Sequence, residues 1–186
     1  MSARPAGLAA LAALLLFGSA AAEPVDAGLR SRVEGLLGAY RAVTVAEWQA
    51  LGPEVAPVLE DVARDARELP TRRARALAAL GVLRPDTAAP LVRQLASDWT
   101  VPVPLRTAAL DVAPGVLGAD APLFLAPFLR DREPRVRRRS AEALAASGAA
   151  GCRVLTTEAK GRSASDPVVS AAAACGSRSR DPTPDR

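Results

Sequence analysis

The sequence predicts an all-α protein assembled from repeated antiparallel helix pairs. Three observations predict it. Apolar residues recur at helical spacing, and no useful stretch alternates with period two. Aromatics make up only 3% of a chain that is 49% hydrophobic, so the core must be built from Leu, Val and Ala. Alanine combines the best helix propensity with a side chain small enough for close helix approach. Finally, the chain matches itself when displaced by about thirty residues, the mark of a repeat architecture.

The elements follow in order. MSARPAG carries Arg4, LAALAALLLF is a run of ten apolar residues, and GSAAAEP supplies small residues before a turn. A charged start, a short apolar core and an A-x-A site at Ala20–Ala22 read as a secretory signal peptide over residues 1–22. The apolar core is too short for a membrane span, so no span is expected after cleavage. Cleavage after Ala22 removes one Arg and no acid, which leaves +3 of the +4 formal charge. The expected destination is exported, periplasmic or secreted, in an oxidising space.

In DAGLRSRVEGLLGAY, Leu29, Val33, Leu36, Leu37 and Tyr40 make the first apolar stripe. Thr44 and Glu47 have capping-box spacing, each satisfying an orphan amide of a first helical turn. Pro53, Pro70, Pro134 and Pro167 stand where a first turn tolerates a missing N–H. Gly81, Gly118 and Gly148 read as helix terminators. The domain is expected to cover residues 23–176, with the polar segment 177–186 a disordered tail.

Three segments align: RARALAAL from Arg73, RTAALDVA from Arg106 and RRRSAEAL from Arg137. SAAAACGS from Ser170 keeps the small residues but has lost the arginine. Upstream of each arginine segment lies an apolar helix, APVLEDVARD, APLVRQLASD or APLFLAPFLRD, closing at Asp65, Asp98 and Asp131. Two-helix units of this length cannot bury their apolar faces alone, and stacking them gives an α-solenoid. These segments resemble the HEAT repeats, particularly the short bacterial, phycobilisome-lyase-like type, over roughly residues 44–176. The resemblance implies that turn aspartates and early arginines interact along the stack: Asp65 with Arg73, Asp98 with Arg106, and Asp131 with Arg137. Asp166 and Ser170 depart from the pattern, as a terminal repeat does.

The chain has no histidine, the commonest general base and metal ligand, and its two cysteines cannot build the usual zinc site. No Gly-rich phosphate loop is present, and acid pairs such as Glu60 with Asp61 or Asp131 with Glu133 have surface or capping roles. Ser140 has no histidine to activate it, and nothing brings Lys160, the one lysine, to a serine. The expectation is no enzyme, no catalytic residue, no metal and no cofactor. Cys152 and Cys175 would lie at the start and end of paired helices, where a disulfide is geometrically natural. Of the five arginines between Arg132 and Arg139, Arg135, Arg138 and Arg139 exceed what the repeat needs. They are the candidate partner-binding residues, with Arg72 and Arg75 able to extend the face and Trp99, in an inter-helix turn, as a hot spot. Trp48 reads as core. Export and the lack of interleaved aromatics argue against nucleic acid. The expected role is a non-enzymatic protein–protein interaction or scaffold module whose partner is a protein or an acidic envelope surface. A lyase-like or accessory role by fold analogy, and a self-associating envelope protein, are the alternatives.

Overall fold

The computed structural model describes residues 27–178, and all regular structure among them is helical. The signal-peptide reading of residues 1–22 lies outside the described residues, as does the tail from residue 179. The chain runs through α1 (Ala27–Leu37), α2 (Val45–Gln49), α3 (Val55–Arg64), α4 (Pro70–Leu83), α5 (Pro85–Ser97) and α6 (Val103–Leu117). It continues through α7 (Ala121–Leu125), α8 (Pro134–Ala146), α9 (Gly148–Glu158) and α10 (Pro167–Arg178). Helix α10 therefore includes Ser177, against the expected start of the tail at residue 177; its hydroxyl donates back to the Ala174 carbonyl.

Helices α3 with α4, α5 with α6, and α9 with α10 pack as consecutive pairs, and α7 with the turn after it packs on α8. The second helices also pack on one another in succession, α4 on α6, α6 on α8 and α8 on α10. Each carries one apolar stripe. In α6 it is Leu105, Ala109, Leu110, Ala113 and Leu117; in α8 it is Val136, Ala141 and Leu144 with flanking alanines. Fully buried leucines, Leu77, Leu80, Leu105, Leu110 and Leu144 among them, dominate the core, each worth about 2 kcal/mol.

Local signals set the helix ends. Thr44 and Glu47 form the predicted capping box: the Glu47 amide donates to Thr44 Oγ1 at 3.3 Å, and the Thr44 amide donates to Glu47 Oε2 at 2.9 Å. Pro70, Pro134 and Pro167 open α4, α8 and α10, whereas Pro53 lies in a turn two residues ahead of α3. The segment APLFLAPFLRD, expected as one helix, divides into α7 and a 3₁₀ turn, Ala126–Arg130. Pro127 has no N–H to continue the α ladder, so the chain tightens at that point. Gly118 and Gly148 reverse the chain at φ 52° and 68°, as expected of terminators.

Gly81 departs from its terminator reading. It lies inside α4, where an added Cβ would come within 2.5 Å of Val112 Cγ1 on α6. Gly151 has a tighter version of the same role in α9: a Cβ there would stand 1.9 Å from the Leu144 carbonyl oxygen of α8. The residues Val103–Arg130 are long and apolar enough to cross a membrane by length and composition. In this fold that run is α6, α7 and their turns, broken at Gly118, and it contributes to the core.

Cys152 of α9 and Cys175 of α10 form the expected disulfide, with their Cα atoms 5.6 Å apart. Closing a loop with a sequence separation of 23 restricts the unfolded chain by about 3 kcal/mol on the chain-entropy account.

Two outcomes are expected. Gly151→Ala raises helix propensity, yet its methyl meets backbone that cannot rotate away, so urea denaturation will show a loss of about 1–3 kcal/mol. A gain in stability would mean that α8 and α9 do not approach this closely. For Glu47, hydrogen bonding from Arg41, then from the Thr44 amide and hydroxyl, lowers the carboxyl pKa from 4.5 to about 2. A depressed acid stabilises the fold fully above its unfolded value and loses that contribution as pH falls through the folded one. The α2 cap is therefore expected to persist at pH 4 and to open towards pH 2, with the Glu47 carboxyl carbon titrating by NMR at about 2.

Candidate partner-binding face

The aspartates build the frame that positions this face. Asp Oδ1 readily accepts the amide two residues on, closing a turn. Asp65 accepts from Arg67 at 2.9 Å, Asp98 from Thr100 at 2.8 Å, Asp131 from Glu133 at 2.9 Å and Asp166 from Val168 at 2.8 Å. Asp166, which looked displaced in the sequence, thus makes the same turn. The early arginines reach back to the ends of the preceding helices, whose last carbonyls lack intrahelical donors. Arg73 Nε donates to the Ala63 carbonyl at 3.0 Å and Arg106 Nε to the Ala96 carbonyl at 3.1 Å.

The expected side-chain pairing within each repeat is corrected. Arg106 makes its ion pair with Asp131 of the following pair, Nη2 to Oδ2 at 2.5 Å, with both side chains largely buried. Its influence on Asp98 is through charge alone. Arg73 forms no ion pair with Asp65 among the described residues, and Arg137 donates to the backbone carbonyls of Asp131 and Arg132 at 3.0 and 3.1 Å. The reason is geometric: the Asp131 carboxylate closes its own turn through Oδ1 and faces Arg106 of the preceding pair, chiefly through Oδ2. Burial pushes the Asp131 pKa up, but hydrogen bonds from Arg106 and the Glu133 amide, with the charges of Arg106 and Arg137, hold it below the ordinary value. In the last pair, where Ser170 replaces the arginine, Arg162 from the α9–α10 loop supplies the link. Its Nε donates to the Glu158 carbonyl at 2.7 Å and its Nη1 to Asp166 Oδ2 at 3.1 Å.

Arg135, Arg138 and Arg139 come together on α8, lining a cleft of about 200 Å³ with Val103, Pro104 and Thr107 of α6. Their charges are unequally compensated. Arg139 bridges Asp111 at 3.1 Å and Glu142 at 2.8 Å, and Arg138 stands 3.8 Å from Glu142. Burial raises the Asp111 pKa against the attraction of Arg139, and Glu142 adds to the rise. The exposed Arg135 side chain has no acidic partner among the described residues. Trp99, in the α5–α6 turn, is 83% exposed, while Trp48 is buried, both as expected. Trp99 lines a shallow groove with Phe128, Arg130 and Arg132, and Val103 borders both this groove and the arginine cleft. The two candidate features therefore adjoin.

Arg72 and Arg75 do not extend the face. Arg72 stands 3.6 Å from Glu68, and Arg75 donates to the Leu37 and Ala39 carbonyls at 2.8 and 2.5 Å. Sequence reasoning missed Arg130, which pairs with Glu158 at 3.1 Å, and Arg132, whose place beside Trp99 only the fold reveals. Ser140 is buried and donates to the Leu125 carbonyl at 2.8 Å, a helix-packing role. No group of three or more His, Cys, Asp or Glu side chains suited to a metal occurs among the described residues. Comparison with family models, with curated proteins and with solved structures finds no match.

Two substitutions separate the roles of the aspartates. Asn can still accept the turn amide, so Asp98→Asn is expected to cost less than about 0.5 kcal/mol, as exposed substitutions do. Asp131→Asn leaves Arg106 buried without its counter-charge and is expected to cost about 2 kcal/mol or more. Equal losses in thermal or urea unfolding would show that the turn, and not the ion pair, carries the contribution.

Proposed function

We propose that this chain is an exported interaction module of the HEAT type, an α-solenoid that binds a partner protein through the face formed by Trp99 and the α8 arginines. The observation that carries the reading is the adjacency of an exposed tryptophan to an arginine cleft across Val103. Tryptophan and arginine are the residues most enriched at energetic hot spots, and an indole left in water has no folding role to explain it. The solenoid reading is supported by the succession α4, α6, α8 and α10, each packed on the next, and by the turn aspartate of every pair. Export is supported by the apolar leader in the sequence and by the disulfide.

The partner surface is acidic, and Arg135 carries more of the recognition than Arg139, whose charge Asp111 and Glu142 already offset. Affinity capture from a cell-envelope extract, followed by kinetics with the captured protein, tests this. Trp99→Ala is expected to weaken binding by about tenfold or more. Arg135→Ser is expected to slow association, most clearly at low salt. Unchanged affinity and association rate in the Trp99→Ala, Arg135→Ser double variant would overturn the assignment of this face.

A further inference from the structure

At the other end of the described chain, α1, the segment 38–44, α2 and α4 enclose a half-open cavity of about 390 Å³. It lies where the five-residue α2 stands beside α4, with Ala78 and Ala79 of α4 in its wall. Leu37 and Trp48 form part of its floor and are buried. Tyr40, Val45 and Val82 line the mouth and are exposed, Tyr40 completely. Three apolar side chains from three segments thus surround one concavity while remaining in water, an arrangement with no benefit to the folded chain alone. The volume and the apolar lining match those of small-molecule sites, which add a few polar groups to orient the ligand.

The polar groups here have one sign. Arg41 and Arg75 line the cavity, and no Asp or Glu does. Glu47 engages Arg41 with both carboxylate oxygens. Arg75 uses Nη1 to hold the Leu37 and Ala39 carbonyls at the end of α1, and its other N–H groups have no acceptor among the described residues. A guanidinium fixed through one nitrogen, with donors to spare beside an apolar cavity, is matched by a carboxylate on an apolar tail. We propose that this cavity binds an apolar monocarboxylate of the fatty-acid class, its chain against Trp48 and α4 and its carboxylate on Arg75.

The test uses the full chain with Trp99→Phe, so that Trp48, on the cavity floor, is the one remaining tryptophan. Decanoate and decanol, each below its aggregation threshold, are titrated by calorimetry and by Trp48 emission. Saturable one-to-one binding of decanoate is expected, at least tenfold tighter than decanol. Arg75→Gln is expected to abolish that preference. Val82 is exposed on α4, so Val82→Glu leaves the fold intact by circular dichroism and is expected to weaken decanoate at least tenfold. It decides the matter should Arg75→Gln loosen α1. Absence of saturable binding, equal affinity for acid and alcohol, or undiminished binding by Val82→Glu would each overturn the proposal. So would a concentration-dependent dimer that Val82→Glu disperses while decanoate fails to bind, since the cavity would then be an interface between copies.

Discussion

The interaction on which the rest of this structure depends is the division of labour between the two oxygens of Asp131. Oδ1 accepts the Glu133 amide and turns the chain into α8, with a longer 3.5 Å contact from Arg106; Oδ2 holds Arg106 closely, and Arg106 is itself buried in α6 and anchored on the last turn of α5. A single carboxylate thereby links three helices from two successive pairs. An isolated buried charge would be costly, and each group here is tolerable because the other is present. The apolar contacts around it are leucine and alanine repeated at similar spacing, and such stripes would accept a displaced partner with little loss. A displaced register would leave Arg106 buried without its counter-charge, a cost that the apolar stripes do not impose.

The same device recurs with different parts, and the substitutions show which feature is essential. Asp166 also divides its oxygens between the amide two residues on and a guanidinium. The guanidinium comes from Arg162 in the loop, because the usual helical position is Ser170. What persists in both is an aspartate closing the turn and an arginine that joins it to a carbonyl at the end of a first helix. The source of the arginine can change because its long side chain reaches the same place from loop or helix.

Most of the helices, the capping box, the turn aspartates and the disulfide were legible in the sequence because each depends on local spacing or on one pair of residues. The direction of the Arg106 pairing was not. Asp98 is closer along the chain, and only packing shows that Asp131 faces Arg106. Gly81 looked like a terminator because helix ends and close contacts call for the same residue, and the distinguishing atom, Val112 Cγ1, belongs to another helix. The break at Pro127 was written in APLFLAPFLRD but outweighed there by the apolar pattern. At the candidate face, the sequence pointed to Trp99 and to three arginines, which it treated alike. Asp111, from α6, is what makes Arg139 different from Arg135.

The scarcity of aromatic residues sharpens the meaning of those left in water. A leucine–alanine core brings helices close, down to contacts such as Gly151 against the α8 backbone, and leaves little room for large rings inside. Trp48 is buried on α2, in the wall of the cavity beside α4. Trp99 and Tyr40 are placed outside, one in the groove that adjoins the arginine cleft and the other at the mouth of the cavity. The two ends of the described chain also differ. The last pair is closed by a disulfide, whereas at the first end α1 is held by its buried Leu29, Val33 and Leu37 and by Arg75 reaching over from α4. The end without a disulfide is the one with an apolar cavity, bounded by α1, α2 and α4, although those three α1 side chains are themselves buried in the core.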